Sequence, residues 1–79
     1  MTSIKMYDVV RVKQLLREPE SYVRGSTFSK RPPRVGDRGS VVMHYSTTCT
    51  VEAVEPDRST LWLADFVAEE LEHVAEPNL

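Results

Sequence analysis

Apolar and polar residues alternate with a period of two in short stretches that glycine, proline and small polar residues separate. This alternation predicts half-buried β-strands rather than helices. Residues 7–13 are predicted as the first strand, with Val10 and Val12 facing the core. Residues 35–45 are predicted as a tight turn, bracketed by Gly36 and Gly39, that leads into a second strand. The residues of this strand expected to face the core are Val41, Met43 and Tyr45, whereas Val42 and His44 fall on the opposite face.

The second half of the chain predicts a hairpin and a short closing segment. Residues 49–54 form a strand whose inward face is Cys49, Val51 and Ala53, and residues 55–59 form a turn. Residues 60–66 form the next strand, with Leu61 and Leu63 inward. Asp65 is expected to cap a helical turn through residues 68–71, after which Leu71 and Val74 close the core in a brief final strand.

The order of these elements predicts an all-β fold, a small SH3-like barrel of about five strands. A long loop, residues 17–34, follows the first strand and holds three prolines, and a short helical turn at residues 18–22 would shorten it. The 79 residues are expected to form one domain with its core at about residues 7–74 and a frayed tail at residues 75–79.

Charge is distributed unevenly along the chain, although the net charge is only −2. Residues 1–39 hold nine Lys or Arg against four Asp or Glu, a net +5, whereas residues 40–79 hold one Arg against eight Asp or Glu, a net −7. Such asymmetry indicates self-association or an anionic partner, unless the two halves neutralise each other within one fold. The single cysteine allows no intrachain disulfide, and no stretch approaches the roughly 20 apolar residues of a membrane span, so we expect a soluble cytoplasmic protein.

The residues that most often carry catalytic or metal chemistry are few. His44, His73 and Cys49 lack the paired short spacing of zinc ligands, so we expect no metal and no cofactor. Cys49 is interpreted as a small buried apolar residue and Asp37 as a turn residue. We therefore predict no catalytic residue and a chain that is not an enzyme.

The basic loop is the best candidate for a binding surface. Its cations are interleaved with aromatic residues, a pattern that suits both an acidic protein surface and single-stranded nucleic acid. Trp62 is expected to point away from the Leu61 and Leu63 face, where it either covers the barrel beneath the loop or anchors a partner. The predicted partner-binding residues are Tyr22, Arg24, Phe28, Lys30, Arg31, Arg34 and Trp62.

Several segments together resemble a family of short bacterial stand-alone domains of unknown function, whose members look like SH3-type barrels. The resemblance covers about residues 7–74, and the segments that carry it are residues 7–12, 35–42, 50–54, 64–66 and 70–71. A weaker similarity is to the C-terminal barrel of the nitrile hydratase β subunit, through the run from Tyr22 to Gly25. That family's metal site lies on its other subunit, so the similarity implies no catalytic residue here.

These observations predict a non-enzymatic barrel that binds another protein, with a second copy of the same chain as one possible partner. The alternative is a nucleic-acid or ribosome-associated module that uses the basic loop. The acidic second half argues against a wide phosphate-binding surface.

Overall fold

The computed structural model describes residues 4–74, so the predicted tail at residues 75–79 lies outside the described part of the chain. The fold is all-β with one short α-helix and one turn of 3-10 helix, and the predicted fold class is confirmed. The elements in chain order are β1 (Val9–Val12), α1 (Pro19–Val23), β2 (Arg38–His44), β3 (Cys49–Val54), β4 (Thr60–Phe66), the 3-10 helix (Ala68–Glu70) and β5 (Leu71–His73).

The five strands form one antiparallel sheet in the order β4-β3-β2-β1-β5. Strands β2, β3 and β4 are a meander, and the last strand returns to pair with the first. The order of the elements along the chain, with a long loop after the first strand, then a meander and a helical turn before the last strand, is the one that the sequence predicted. The order of the strands in the sheet leaves β4 and β5 as the two edge strands.

One apolar core lies on one face of the sheet, and the strands contribute alternate residues to it. Val10 and Val12 of β1 and the predicted inward face of β3 are confirmed as core residues, including Cys49. The short helical turn predicted in the long loop is present as α1, which begins at Pro19, a residue suited to the first turn. The buried apolar residues are Val10, Val12, Tyr22, Val41, Cys49, Val51, Ala53, Trp62, Ala64, Phe66 and Leu71.

The prediction for the faces of β4 is wrong. Trp62 is completely buried, whereas Leu61 and Leu63 are only partly buried. Pairing with β3 explains the difference, because Ala53 lies opposite Trp62 and Val51 lies opposite Ala64. Residues directly opposite each other point to the same face of a sheet, so the inward face of β3 places Trp62 and Ala64 inward.

The prediction for the second half of β2 is also wrong. Val41 is fully buried, but Met43 and Tyr45 are 48% and 49% exposed. The pairing of β2 with β3 shifts by one residue between Val41 and Met43, which is a β-bulge. One extra residue moves every following side chain to the other face, so Met43 points outward with Thr50, its partner on β3.

Of the two glycines predicted to bracket the turn, only Gly36 has the predicted role. Gly36 lies in the turn before β2 with a φ of 98°, a conformation that favours glycine. Gly39 is instead a strand residue, and a Cβ atom there would lie 2.6 Å from the carbonyl oxygen of Glu52 on β3. The absence of a side chain at Gly39 therefore lets β2 and β3 approach closely.

Asp65 does not cap the helical turn, because it is a residue of β4 whose carboxylate accepts a hydrogen bond from Thr50. The 3-10 helix is capped by its own last residue. The backbone N–H of Val67 donates to the Glu70 carboxylate at 3.0 Å, and Glu70 is 1% exposed. A buried carboxylate thus fixes the entry to β5.

Candidate interaction surface

The first half of the predicted basic loop is attached to the core through Tyr22. The Tyr22 ring stacks on Phe66 at 5.0 Å between centroids, and its hydroxyl donates a short hydrogen bond to the buried carboxylate of Glu70. The same hydroxyl accepts from the backbone N–H groups of Leu16 and Arg17 at 3.1 and 3.2 Å. Burial, together with the Glu70 hydrogen bond, raises the pKa of Tyr22. Tyr22 is 6% exposed, so the prediction that it contacts a partner is corrected.

The second half of the loop runs along the outer edge of β4. The N–H of Lys30 donates to the carbonyl of Leu61 at 2.7 Å, and the N–H of Leu63 donates to the Ser29 hydroxyl at 3.0 Å. These bonds satisfy backbone groups that an edge strand would otherwise expose. The loop is therefore held against the sheet at fixed positions, and it covers one of the two sheet edges.

Lys30 and Arg31, two of the predicted binding cations, form ion pairs within the chain. Lys30 contacts the carboxylate of Glu55, which raises the pKa of Lys30 and lowers that of Glu55. Arg31 donates two hydrogen bonds to Asp37 at 2.8 and 3.1 Å. Both cations thus have structural partners in the folded chain.

Asp37 accepts more hydrogen bonds than its predicted role as a turn residue requires. Besides the two from Arg31, it accepts one from the indole N–H of Trp62 at 2.9 Å and one from the backbone N–H of Arg34 at 2.9 Å. Burial raises the pKa of Asp37, but these hydrogen bonds lower it by more, so the net shift is downward. Trp62 is also packed edge-to-face on Phe66. The proposed outward position of Trp62 is therefore corrected to a core position beneath the loop.

Four residues of the predicted site are exposed, Arg24, Phe28, Lys30 and Arg34, and of these Lys30 is held in the ion pair with Glu55. Phe28 is 70% exposed. It follows α1 in the chain and directly precedes Ser29 and Lys30, the two residues that bond to β4. Within residues 4–74, Arg24 and Arg34 make no ion pair with a carboxylate. The structure thus reduces the seven predicted contact residues to three available ones.

A shallow groove of about 380 Å³ lies between α1 and the outer face of β3 and β4. Arg17 and Arg24 line one wall, and Thr50, Leu63 and Asp65 line the other. The Arg17 guanidinium lies 4.1 Å from the centroid of the Tyr22 ring and donates to the carbonyl of Asp65 at 2.8 Å. The lining of the groove is mostly polar, and its two cations, Arg17 and Arg24, suit an acidic or carboxylate-bearing segment of a protein.

The groups that could support chemistry are dispersed. No cluster of three or more His, Cys, Asp or Glu side chains with metal-binding geometry occurs in residues 4–74. Burial raises the pKa of the Cys49 thiol, with Asp65 and Glu70 adding to the effect, which disfavours a reactive thiolate. No helix among the described residues is long and apolar enough to cross a membrane.

No family model, curated protein or solved structure matches this chain. The resemblance to small bacterial barrel domains and to the nitrile hydratase β subunit therefore stays a prediction.

Sequence reasoning missed Arg11, Arg38 and Tyr7, which the fold places on one exposed surface of β1 and β2. Their proximity depends on strand register, for which the only local signal was the alternation around Val10 and Val12.

Proposed function

We propose that this chain is a non-enzymatic protein-interaction module that contacts its partner through the exposed part of the long loop. The contact surface, here called the loop surface, consists of Arg24, Phe28, Arg34 and the groove beside α1. The observation that carries the proposal is the 70% exposure of the Phe28 ring on a backbone segment fixed to β4.

An exposed aromatic ring on a fixed backbone is suited to anchor a partner. A buried aromatic side chain contributes a large apolar area, on the order of 150–250 Å², and interface hot spots are enriched in aromatic residues and arginine. The Ser26 hydroxyl accepts from the N–H groups of Phe28 and Ser29 at 3.3 Å, so the loop is already ordered around the ring. Ordering before binding lowers the entropy cost of association.

Nucleic-acid binding by the same loop has less support. Of the four cations predicted to contact phosphate, Lys30 and Arg31 make ion pairs with Glu55 and Asp37. The remaining two cations, Arg24 and Arg34, could neutralise few phosphates. Few counterions would then be released on binding, although the nucleic-acid backbone carries one charge every few ångströms.

The test uses a photo-crosslinking amino acid at position 28 in the native cell. We expect crosslinks to one protein, and none from the same probe at Val54, a matched apolar position that is 55% exposed on β3. The Phe28→Ala variant and the Arg24→Glu/Arg34→Glu double variant should each reduce recovery of the identified protein at least about fivefold, in line with hot-spot truncation costs above 1 kcal/mol. Crosslinks that nuclease removes would support the nucleic-acid alternative, and equal crosslinking at positions 28 and 54 would refute the proposal.

The choice of these arginines follows from the structure. Reversal of Lys30 and Arg31 would break their ion pairs with Glu55 and Asp37 as well as any contact with a partner, so it would not isolate the contact. Arg24 and Arg34 are exposed and make no such pair within the described chain, so a loss of binding by their variants reports on the partner.

A further inference from the structure

The outward faces of β1 and β2 form a second exposed surface, separate from the loop surface. Val9 and Arg11 alternate with the buried Val10 and Val12, so they point away from the core. Ser40 lies opposite Val9, and Arg38 lies opposite Arg11. Two exposed residues at the other end complete this surface, the β1–β2 strip, which consists of Tyr7, Val9, Arg11, Arg38, Ser40 and Met43.

One end of the strip holds two arginines directly opposite each other. The backbone hydrogen bonds from Val41 to Asp8 and from Val12 to Asp37 flank this position, which makes Arg11 and Arg38 a non-hydrogen-bonded pair. Side chains are closest at such pairs, and like charges directly opposite are destabilising.

Only one of these two arginines has a counter-ion. Arg11 forms an ion pair with Glu72 of β5 at 2.7 Å. Arg38 is exposed and forms no ion pair with any residue in the described part of the chain. The strip therefore presents one guanidinium without a partner.

The other end of the strip is apolar and aromatic. Tyr7 is 77% exposed, and its backbone N–H donates to the carbonyl of Val41 at 2.7 Å, which fixes the residue beside β2. Met43, which the β-bulge turns outward, is 48% exposed. Tyr7 and Arg11 are four residues apart, and Arg38 and Met43 are five residues apart. At the rise of an extended chain, the two ends of the strip are therefore about 13–17 Å apart.

We propose that this face is a dimer interface in which two copies of the chain pack strip against strip about a two-fold axis near Val9 and Ser40. The axis reverses the strip, so Arg38 of each copy lies over the Tyr7 ring and Met43 of the other. Guanidinium groups stack favourably on tyrosine faces, and the contact occurs twice in a symmetric dimer.

A second copy is the occupant because the strip contains both members of the complementary pair. Its Arg, Tyr and Met residues are the types enriched at protein interfaces. The carboxylates that border the strip on the same face, Glu72 and Glu52, already accept hydrogen bonds from Arg11 and Thr60. An acidic partner would satisfy Arg38 but would leave Tyr7 and Met43 unmatched, whereas the reversed strip matches both ends at once.

Sedimentation equilibrium over a concentration series is the test. We expect a monomer–dimer equilibrium for the wild-type chain. Arg38→Glu should weaken dimerisation about tenfold or more, because one substitution removes both symmetric contacts. Tyr7→Asn, which removes the ring and tolerates the φ of 69° at this position, should do the same. Arg58→Glu is the control, since Arg58 is an exposed arginine on the turn between β3 and β4 and has the same change of charge.

A charge-swap variant separates the proposed contact from a loss of folding. The double variant Tyr7→Arg with Arg38→Glu places opposite charges across the axis, so dimerisation should return and should weaken as salt rises. Arginine is compatible with the backbone there, because Arg58 has a φ of 72° in the same chain. Four results would overturn the proposal: a monomer at every concentration, a dimer indifferent to Arg38→Glu, equal weakening by Arg58→Glu, or a double variant no better than Arg38→Glu alone.

Discussion

Replacement of Asp37 by asparagine should destabilise the fold measurably, although Asp37 lies in a loop at the surface. The change keeps the size of the side chain and removes its charge, so the charge-assisted pair with Arg31 is lost. The side chains of Arg31 and Asp37 are only 25% and 17% exposed. Hydrogen bonds to charged groups at such partly buried positions contribute about 1.5–3 kcal/mol, so we expect Asp37→Asn to lower the free energy of unfolding by about 2 kcal/mol.

The fluorescence of Trp62 can be used to measure this change in the free energy of unfolding. Trp62 is the only tryptophan, and its indole N–H donates to Asp37, so its fluorescence follows the loss of structure around this carboxylate in a urea titration. A double-mutant cycle with Arg31→Gln isolates the pair, and its coupling energy should be about 1–2 kcal/mol. Lys30→Gln is a suitable control, because the Lys30–Glu55 ion pair is more exposed, at 49% and 36%, and Glu55 does not contact Trp62 through a hydrogen bond.

The pH dependence follows from the direction of the Asp37 shift. The pKa of Asp37 is lower in the folded state than the ordinary value of 3.8, so the folded state favours the ionised form. Its contribution to stability is fully present above pH 3.8 and is lost as the pH falls through the lower folded pKa. The Asp37→Asn variant should therefore lose less stability than the wild type below about pH 4. A variant within about 0.5 kcal/mol of the wild type at pH 7, or a coupling energy near zero, would refute this account of Asp37.

Two further predictions concern the interior. Tyr22→Phe should cost about 1–3 kcal/mol, because it removes one of the hydrogen-bond donors to the buried Glu70 carboxylate, and the variant should lose less stability than the wild type at high pH. The pKa of Tyr22 is raised in the folded state, so its contribution is present below pH 10.0 and is lost as the pH rises through the higher folded value. If the urea midpoints of the wild type and of Tyr22→Phe fall in parallel above pH 10.0, the proposed contribution of the Tyr22–Glu70 hydrogen bond is contradicted. Gly39→Ala should destabilise by about 1–3 kcal/mol in the same titration, since its Cβ would meet the Glu52 carbonyl at 2.6 Å, and an unchanged midpoint would show that β2 and β3 can separate without cost.

The sequence predicted the strand positions well where apolar and polar residues alternate, as in β1 and β3. It failed in β4 because nearly every position there is apolar, so alternation alone did not distinguish Leu61 and Leu63 from Trp62, Ala64 and Phe66. The larger total volume of the second set was the available signal. The bulge in β2 has no local signature, since Val41, Val42 and Met43 suit either face.

The candidate site was predictable only in its location. The composition of the loop predicts a surface with exposed cations and an aromatic ring. The exposure of Arg24, Phe28 and Arg34 agrees with this prediction. The pairing of Tyr22 with Glu70 joins residues 48 positions apart, and that of Asp37 with Trp62 joins residues 25 apart. Contacts of this kind are set by the register of the whole sheet, so no local pattern could have shown that Tyr22 and Trp62 are core residues.

The two proposed surfaces are compatible with each other, because β3 lies between β4, which the loop covers, and the β1–β2 strip. A dimer formed through the strip would leave both copies of Phe28 exposed on separate sheet edges. Such a dimer would present the loop surface twice, and a partner with two binding segments would gain affinity from the second, intramolecular contact. Arg38→Glu would then weaken capture of a bivalent partner without any change at the loop, whereas Phe28→Ala would weaken capture without any change in dimerisation. The two variants therefore distinguish a direct contact from an effect of valency.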